Sequence, residues 1–277
     1  MKLAIVRQRY EPSGSAERFV ARALPALERA GAEVTLITRR AEGWGARRVL
    51  RVDPFHVGKL WGDHVFARAA RRAWLQQGFD LVQSHEPIPG CHVYWPGKEM
   101  PRRPLLQETI EHPRLRAVIC DSMRRRDELR RGFRIAPEKL HVIYGGVDLE
   151  RFHPRERDRL RGAARAELGC QPRDTVFLSL GQGLELAIEA LAAARNDALW
   201  LAVAANDTGL KAKGVHFLGE REDLRPSYAA ADCLVVPGGS DFFPHEVLEA
   251  LAMGLPAIVS SRSGAAEAIE PGVNGWL

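Results

Sequence analysis

The chain has 277 residues, 45% of them hydrophobic and 27% charged, an ordinary globular balance long enough for two domains of about 100–150 residues. No apolar run approaches the roughly 18 residues of a membrane helix, and the stretch from Leu3 to Val6 is far shorter than a signal-peptide core, so a cytoplasmic protein is expected. Four scattered cysteines, Cys91, Cys120, Cys170 and Cys233, form no CxxC pair, which argues against a zinc site or a disulfide framework.

In chain order, KLAIVRQ (2–8) reads as a strand. SAERFVARALPALERAG (15–31) follows as a helix, with Phe19, Ala23, Leu24 and Leu27 at helical spacing and Gly31 at its end. EVTLITRR (33–40) is a second strand, DHVFARAARRAWLQQG (63–78) a helix, and DLVQSHE (80–86) and RAVICDS (116–122) further strands. SMRRRDELRRGF reads as a helix with Ser122 as N-cap, and KLHVIYGGVD (139–148) as a strand entering a Gly-Gly turn. The charged, proline-containing stretch 150–174 reads as a linker. Then the pattern restarts: strands at 175–181, 198–205, 214–220, 233–239 and 256–261, with helices at 184–194, 223–231, 243–254 and 264–270 between them.

Alternating apolar strands and helices predict parallel sheets covered on both faces. The fold class is therefore α/β, with two Rossmann-like doubly wound domains, 1–149 and 150–277, facing one cleft. In such sheets ligands lie beyond the carboxyl ends of the strands, so chemistry is sought in the loops that follow strands. The net charge of +5 is concentrated in the arginine-rich run 114–131. That run lacks the aromatic interleaving of a nucleic-acid surface. It reads either as a solvated helix or as a face toward anionic lipid headgroups or a phosphorylated acceptor.

The segment from Ser240 to Pro256 carries the sharpest constellation. A strand ends at Pro237, a polar loop follows, and a helix is expected to begin near Phe243–Pro244, with Asp241 before it and Glu249 two turns in. Amides at a helix start can hold a diphosphate, and a carboxylate can accept hydrogen bonds from the vicinal hydroxyls of a sugar or ribose. Taken alone, such acids read equally as helix-dipole partners.

D-F-F-P-H-E-V-L-E-A-L-A-M-G-L-P-A resembles the signature of family 4 glycosyltransferases, acid-P-F-G-x-x-x-L-E-A-x-A-x-G-x-P-V. SRSGAAEAIEPGVNGWL downstream and HFLGEREDLRPSYAAADCLVVP upstream extend the resemblance over much of the C-terminal half. It implies a GT-B fold in which Glu249 holds the donor ribose and Asp241 meets the donor sugar. Phe243, Pro244, His245, Glu246, Val247, Gly181 and Gly264 are the other donor-side candidates, with Glu246 expected to face solvent. RQRYEPSGSAER resembles the family's N-terminal glycine loop, which makes Gly14 and Ser15 acceptor-side candidates. SHEPIPGCHVYWPG (84–97) resembles a segment of lipopolysaccharide-core glucosyltransferases, and HVIYGGVDLERFHP their inter-domain stretch; His85, Glu86 and Glu99 join the acceptor side. The resemblance implies retention of anomeric configuration with no essential metal and no other cofactor; no D-x-D motif is present.

Three departures qualify this. Gly97 is followed by Lys98 and Glu99 rather than the family's acid, and His92 and Trp95 replace an Asp and an Arg. The loop Gly181-Gln182-Gly183 lacks the cations that neutralise the donor diphosphate, leaving Lys211 and Lys213 as substitutes. The C-terminal domain also reads as incomplete at its end. The expected function is transfer of a hexose from a nucleotide-diphosphate sugar, UDP-glucose or another UDP-sugar first, to a glycan or glycolipid acceptor of lipopolysaccharide core or another envelope glycan. The site would be cytoplasmic, with peripheral contact at the anionic inner face of the membrane. The alternative is a GT-B-like nucleotide-sugar or glycan binding protein that has lost catalysis. A nicotinamide dehydrogenase is disfavoured, since no G-x-G-x-x-G follows the first strand.

Overall fold

Strand residues that alternate between two buried faces set up the architecture. The computed structural model of the chain describes residues 1–11, 15–55, 59–96, 103–206, 209, 212–238 and 243–277. These form two units, Met1–Tyr144 and Gly145–Leu277.

The first unit runs β1 (Lys2–Val6), β2 (Arg9–Tyr10), α1 (Ser15–Arg29), β3 (Glu33–Thr38), β4 (Arg40–Ala41), β5 (Arg48–Arg51), α2 (Lys59–Gln77), β6 (Leu81–Ser84), β7 (Val93–Tyr94), α3 (Arg103–Ile110), β8 (Ala117–Cys120), α4 (Met123–Gly132) and β9 (Leu140–Val142). Seven strands make one parallel sheet in the order β5-β3-β1-β6-β7-β8-β9, and β2 pairs with β4. In β1, Leu3 and Ile5 join a core with Val20, Leu24 and Trp44. Ala4 and Val6 point the other way, into a core with Phe66, Trp74, Leu106 and Leu129. That is the two-residue period of a strand covered by helices on both sides. Each fully buried large apolar side chain contributes about 1.5–3 kcal/mol.

The second unit runs α5 (Pro154–Leu168), β10 (Thr175–Ser179), α6 (Leu184–Ala194), β11 (Leu199–Val203), β12 (Val215–Phe217), α7 (Arg225–Ala230), β13 (Cys233–Val236), α8 (His245–Ala252), β14 (Ala257–Val259) and β15 (Gly275–Trp276). Its six parallel strands are ordered β12-β11-β10-β13-β14-β15. Residues 264–270, expected as an α-helix, contain a 3₁₀ turn at Gly264–Ala268.

The stretch expected as a linker is mostly helix. His153 Nδ1 accepts from Arg155 N at 3.1 Å and caps α5; Gly169, in the left-handed conformation, ends it. Arg157, Arg161 and Arg165, each four residues apart, line one face. Arg157 donates to Ala231 O (3.2 Å), Arg161 to Ala229 O and Ala231 O (2.9 Å each), and Arg165 to Ala230 O (3.1 Å). These are the carbonyls at the end of α7, where the helix dipole is negative and orphan acceptors need donors. Asp232 joins the network through Arg161 and Arg165 and accepts from Val176 N at 2.9 Å. The charged stretch reads as a linker in sequence because the carbonyls that these guanidinia meet lie more than sixty residues away along the chain.

Candidate active site

In the second sheet, β10 is the strand from which the chain departs first toward β11 and β12, then back to β13, β14 and β15. The crevice at the carboxyl ends of β10 and β13 is thus the topological switch point, where ligands bind in open parallel sheets. Two glycines make it possible. A Cβ on Gly183 (φ +66°) would lie 2.6 Å from Gly238 N and 3.2 Å from Pro237 C, so the loops after β10 and β13 touch backbone to backbone. Gly181 (φ +90°) sits beside Ala205 after β11 and donates to Ser179 Oγ at 3.2 Å.

The loop Gly181-Gln182-Gly183 brings no cation to this crevice. Gln182 Oε1 is buried there without a hydrogen-bond partner. Lys213 cannot substitute: it pairs with Asp197 at 2.7 Å, ahead of β12 and β11, at the amino ends of the strands. Lys211 lies outside the described residues.

After β13 the chain reaches α8. Asp241 and Ser240 lie outside the described residues. Pro244 is the N-cap of α8 (φ −68°, ψ 113°) and the helix begins at His245, so Pro244 stands one step before its expected place and supplies no N–H. The Val247 side chain is in the core and its amide donates to Pro244 O at 3.1 Å. Phe243 is likewise a core side chain. His245 covers Gly145; a Cβ there would fall 1.8 Å from His245 Cε1. Glu246 is partly exposed at the helix start. Gly264 opens the buried turn after β14, which Ser263 Oγ caps by accepting from Ala265 N at 3.2 Å.

Glu249 is only 7% exposed. Its Oε2 accepts from Tyr228 Oη at 3.2 Å. Tyr228 is fully buried on α7, its ring edge-on to Phe152 at 6.4 Å. A carboxylate held by a phenol on the helix that follows β13 can accept from a pair of ligand hydroxyls. Tyr228 was not singled out in the sequence; nothing local marks it, because its partner is on another helix.

In the first sheet the corresponding switch point lies between β1 and β6. Glu86 stands there: Oε1 accepts from Gln8 N at 3.0 Å and faces Arg7 Nη1 at 3.7 Å. His85 is buried against Trp95 (ring centroids 5.1 Å apart), with Nε2 3.1 Å from Gln83 Nε2. Burial, and secondarily the Arg7 charge, lower its pKa to about 3, so the imidazole is neutral. The two departures nearby have structural roles. Trp95 covers His85, and His92 Nδ1 accepts from Val82 N at 3.1 Å. Ser15 opens α1, its side chain outside the description; Gly14, Lys98 and Glu99 are outside the described residues. Among the described residues no helix is long and apolar enough to cross a membrane, and no cluster of three His, Cys, Asp or Glu could hold a metal.

Residues 175–277 match the family model described as glycosyl transferases group 1, and residues 16–151 that of glycosyltransferase family 4. The D-inositol 3-phosphate glycosyltransferase of Mycobacterium sp. (strain KMS) is 32% identical over 162 residues, 51% of this chain and 36% of the relative. The chain thus spans little more than a third of the length of that curated relative. Among solved structures, WaaG, a glycosyltransferase involved in lipopolysaccharide biosynthesis, superposes with a TM-score of 0.82 at 19% identity, covering 96% of this chain and 83% of its own. Anabaena HepE in complex with UDP and glucose gives 0.76 at 20% identity, covering 100% and 85%. With one model matching each half and this fold in both, the chain belongs to the family 4 (group 1) glycosyltransferases, of GT-B fold.

Proposed function

We propose that the protein transfers a hexose, with retention of configuration, from a nucleotide-diphosphate sugar to a sugar-bearing acceptor in envelope glycan synthesis. UDP-glucose is the first donor to try, since HepE was solved with UDP and glucose. The observation that carries the reading is the buried Glu249 carboxylate, held by Tyr228 and carried on α8, the helix that follows the switch-point strand β13. Glu249 takes the ribose hydroxyls; the diphosphate lies against the glycine loops and the start of α8, at the positive end of that helix; Asp241 meets the sugar. The bond between the anomeric carbon and the diphosphate oxygen breaks as the acceptor oxygen bonds to the same face. The acceptor proton passes to the departing diphosphate oxygen. On this reading, Glu86 at the β1/β6 switch point belongs to the acceptor side.

A second reading, a nucleotide-sugar or glycan binding protein without turnover, is favoured by the cation-free loop at Gly181–Gly183 and by Pro244, which withholds an amide from the helix start. A leaving diphosphate develops charge that both features leave less stabilised. Calorimetric titration of UDP, ADP and GDP into wild type and Glu249→Ala tests the shared donor site. One nucleotide bound by wild type alone supports it; equal binding by both proteins, or none by either, refutes it. Donor hydrolysis or transfer then separates enzyme from binder.

A further inference from the structure

We propose that the N-terminal unit contains an anion site, built from the Arg125 guanidinium and the Tyr94 hydroxyl at the carboxyl ends of β7 and β8, that takes a phosphate group. Arg125 lies in the run expected either as a solvated helix or as a face toward anionic lipid headgroups or a phosphorylated acceptor. It is instead 1% exposed, among the largest fully buried side chains of the chain. Ser122 caps α4 by accepting from Arg125 N at 3.1 Å, which fixes the turn that carries it. Its Nη1 reaches Glu128 Oε2 at 3.5 Å, and that partner's side chain is 36% exposed. Its Nε and Nη2 have no hydrogen-bond partner, and neither does the Tyr94 hydroxyl, on a fully buried ring.

Tyr94 ends β7, which pairs with β8, and β8 leads into the first turn of α4, which carries Arg125. The charges of Arg125, Arg7 and Glu86 all act on the Tyr94 hydroxyl, and that of Arg125 acts on the Cys120 thiol. Burial pushes the Tyr94 hydroxyl and the Cys91 and Cys120 thiols up, the thiols to about 12, so none of them supplies a negative charge. Glu86 is engaged by Arg7 and the Gln8 amide. A buried guanidinium with orphan donors is costly unless an anion meets it. Three N–H bonds on one guanidinium and a phenol O–H, near the amino end of a ten-residue helix, suit the several acceptor oxygens of a phosphate. Assigning that phosphate to the acceptor rests on the transferase reading; the site itself does not.

Thermal unfolding of the full chain at constant ionic strength, in chloride with added inorganic phosphate or glucose 6-phosphate, tests this. Wild type should gain a saturable rise in Tm, roughly 5 °C at a hundred times the dissociation constant. Arg125→Met should abolish the rise, Tyr94→Phe should weaken binding roughly ten-fold, and Arg130→Ser, exposed on the same helix, should keep it. Without phosphate, Arg125→Met should melt at or above wild type, because a buried guanidinium with two nitrogens lacking hydrogen-bond partners has been removed; if it does not fold, Arg125→Lys, which keeps charge and loses the fork, takes its place. Tighter binding of the sugar phosphate assigns the group to the acceptor. Equal binding assigns it to free phosphate and overturns the acceptor assignment. No saturable rise in wild type, or a rise kept by Arg125→Met, overturns the site. UDP titrated alongside separates the failures: lost phosphate response with intact UDP binding refutes this site alone, and the reverse refutes the transferase reading alone.

Discussion

Glu249→Gln keeps the shape of the side chain and an oxygen for the Tyr228 hydroxyl 3.2 Å away, and removes only the charge. A ligand hydroxyl bonded to a carboxylate contributes about 1.5–3 kcal/mol, against about 0.5–1.5 for a neutral acceptor. Two ribose hydroxyls therefore lose about 2–3 kcal/mol together, or roughly 30- to 150-fold in UDP affinity. Tyr228→Phe removes the anchor but leaves the ring packed on Phe152. A loosened carboxylate should lose about 1 kcal/mol, roughly five-fold. Because the hydroxyl acts only through the carboxylate, the double variant should bind little worse than Glu249→Gln alone, a non-additivity of about 1 kcal/mol. Stability should move the other way, since a carboxylate only 7% exposed becomes a neutral amide. Calorimetric titration of UDP into the four proteins, with urea unfolding of each, measures both effects. UDP affinity within about two-fold of wild type in Glu249→Gln, or strictly additive losses, would refute the assignment of Glu249 as the ribose acceptor.

Gly183→Ala places a Cβ 2.6 Å from Gly238 N at positive φ and should cost more than about 2 kcal/mol in urea unfolding, whereas Gly31→Ala, also at positive φ (+82°) but in open space, should cost about 1–2; equal costs would show that the two loops do not touch. For His85, the folded pKa of about 3 lies below the unfolded value. The unfolded chain therefore takes up the proton first, and stability is lost as pH falls below about 6.5, by about 2 kcal/mol at pH 5. Wild type and His85→Gln, unfolded in urea at pH 7.5 and pH 5, should differ by that much in their pH response, and parallel responses would refute a neutral buried His85. Asp232 is pushed up by burial, but the Val176 amide and the Arg161 and Arg165 guanidinia outweigh this and lower its pKa. Its contribution is present above the unfolded value near 3.9 and fades as pH falls through the lower folded value. Asp232→Asn should cost about 3 kcal/mol at pH 7 and progressively less below about pH 4; a difference that does not narrow in acid would mean that the carboxylate charge is not what holds α5 to α7.

What could be read from the sequence was what repeats locally. The runs at 2–8, 33–40, 175–181 and 233–239 carry strand periodicity, and their alternation with helices dictates parallel sheets with ligand loops at the carboxyl ends. That Glu249 lies on the helix after β13 follows from spacing along one segment, as does Gly181 at a strand end, although the helix starts at His245 and puts Glu249 one turn in rather than two. The tertiary structure decided whatever depends on a partner distant in sequence. Charge made 150–174 look like a linker, but most of it is helix and its arginines meet carbonyls at 229–231. Lys213 belongs to the amino ends of the strands, with Asp197. Tyr228 orients Glu249 across 21 residues. Arg125, one of three consecutive arginines, is the buried one because the turn capped by Ser122 aims it at the sheet. Hydrophobic period is a property of neighbours along the chain; whether a charged side chain meets water, a carbonyl or an orphan hydroxyl is decided only when the strands are ordered and the helices laid across them.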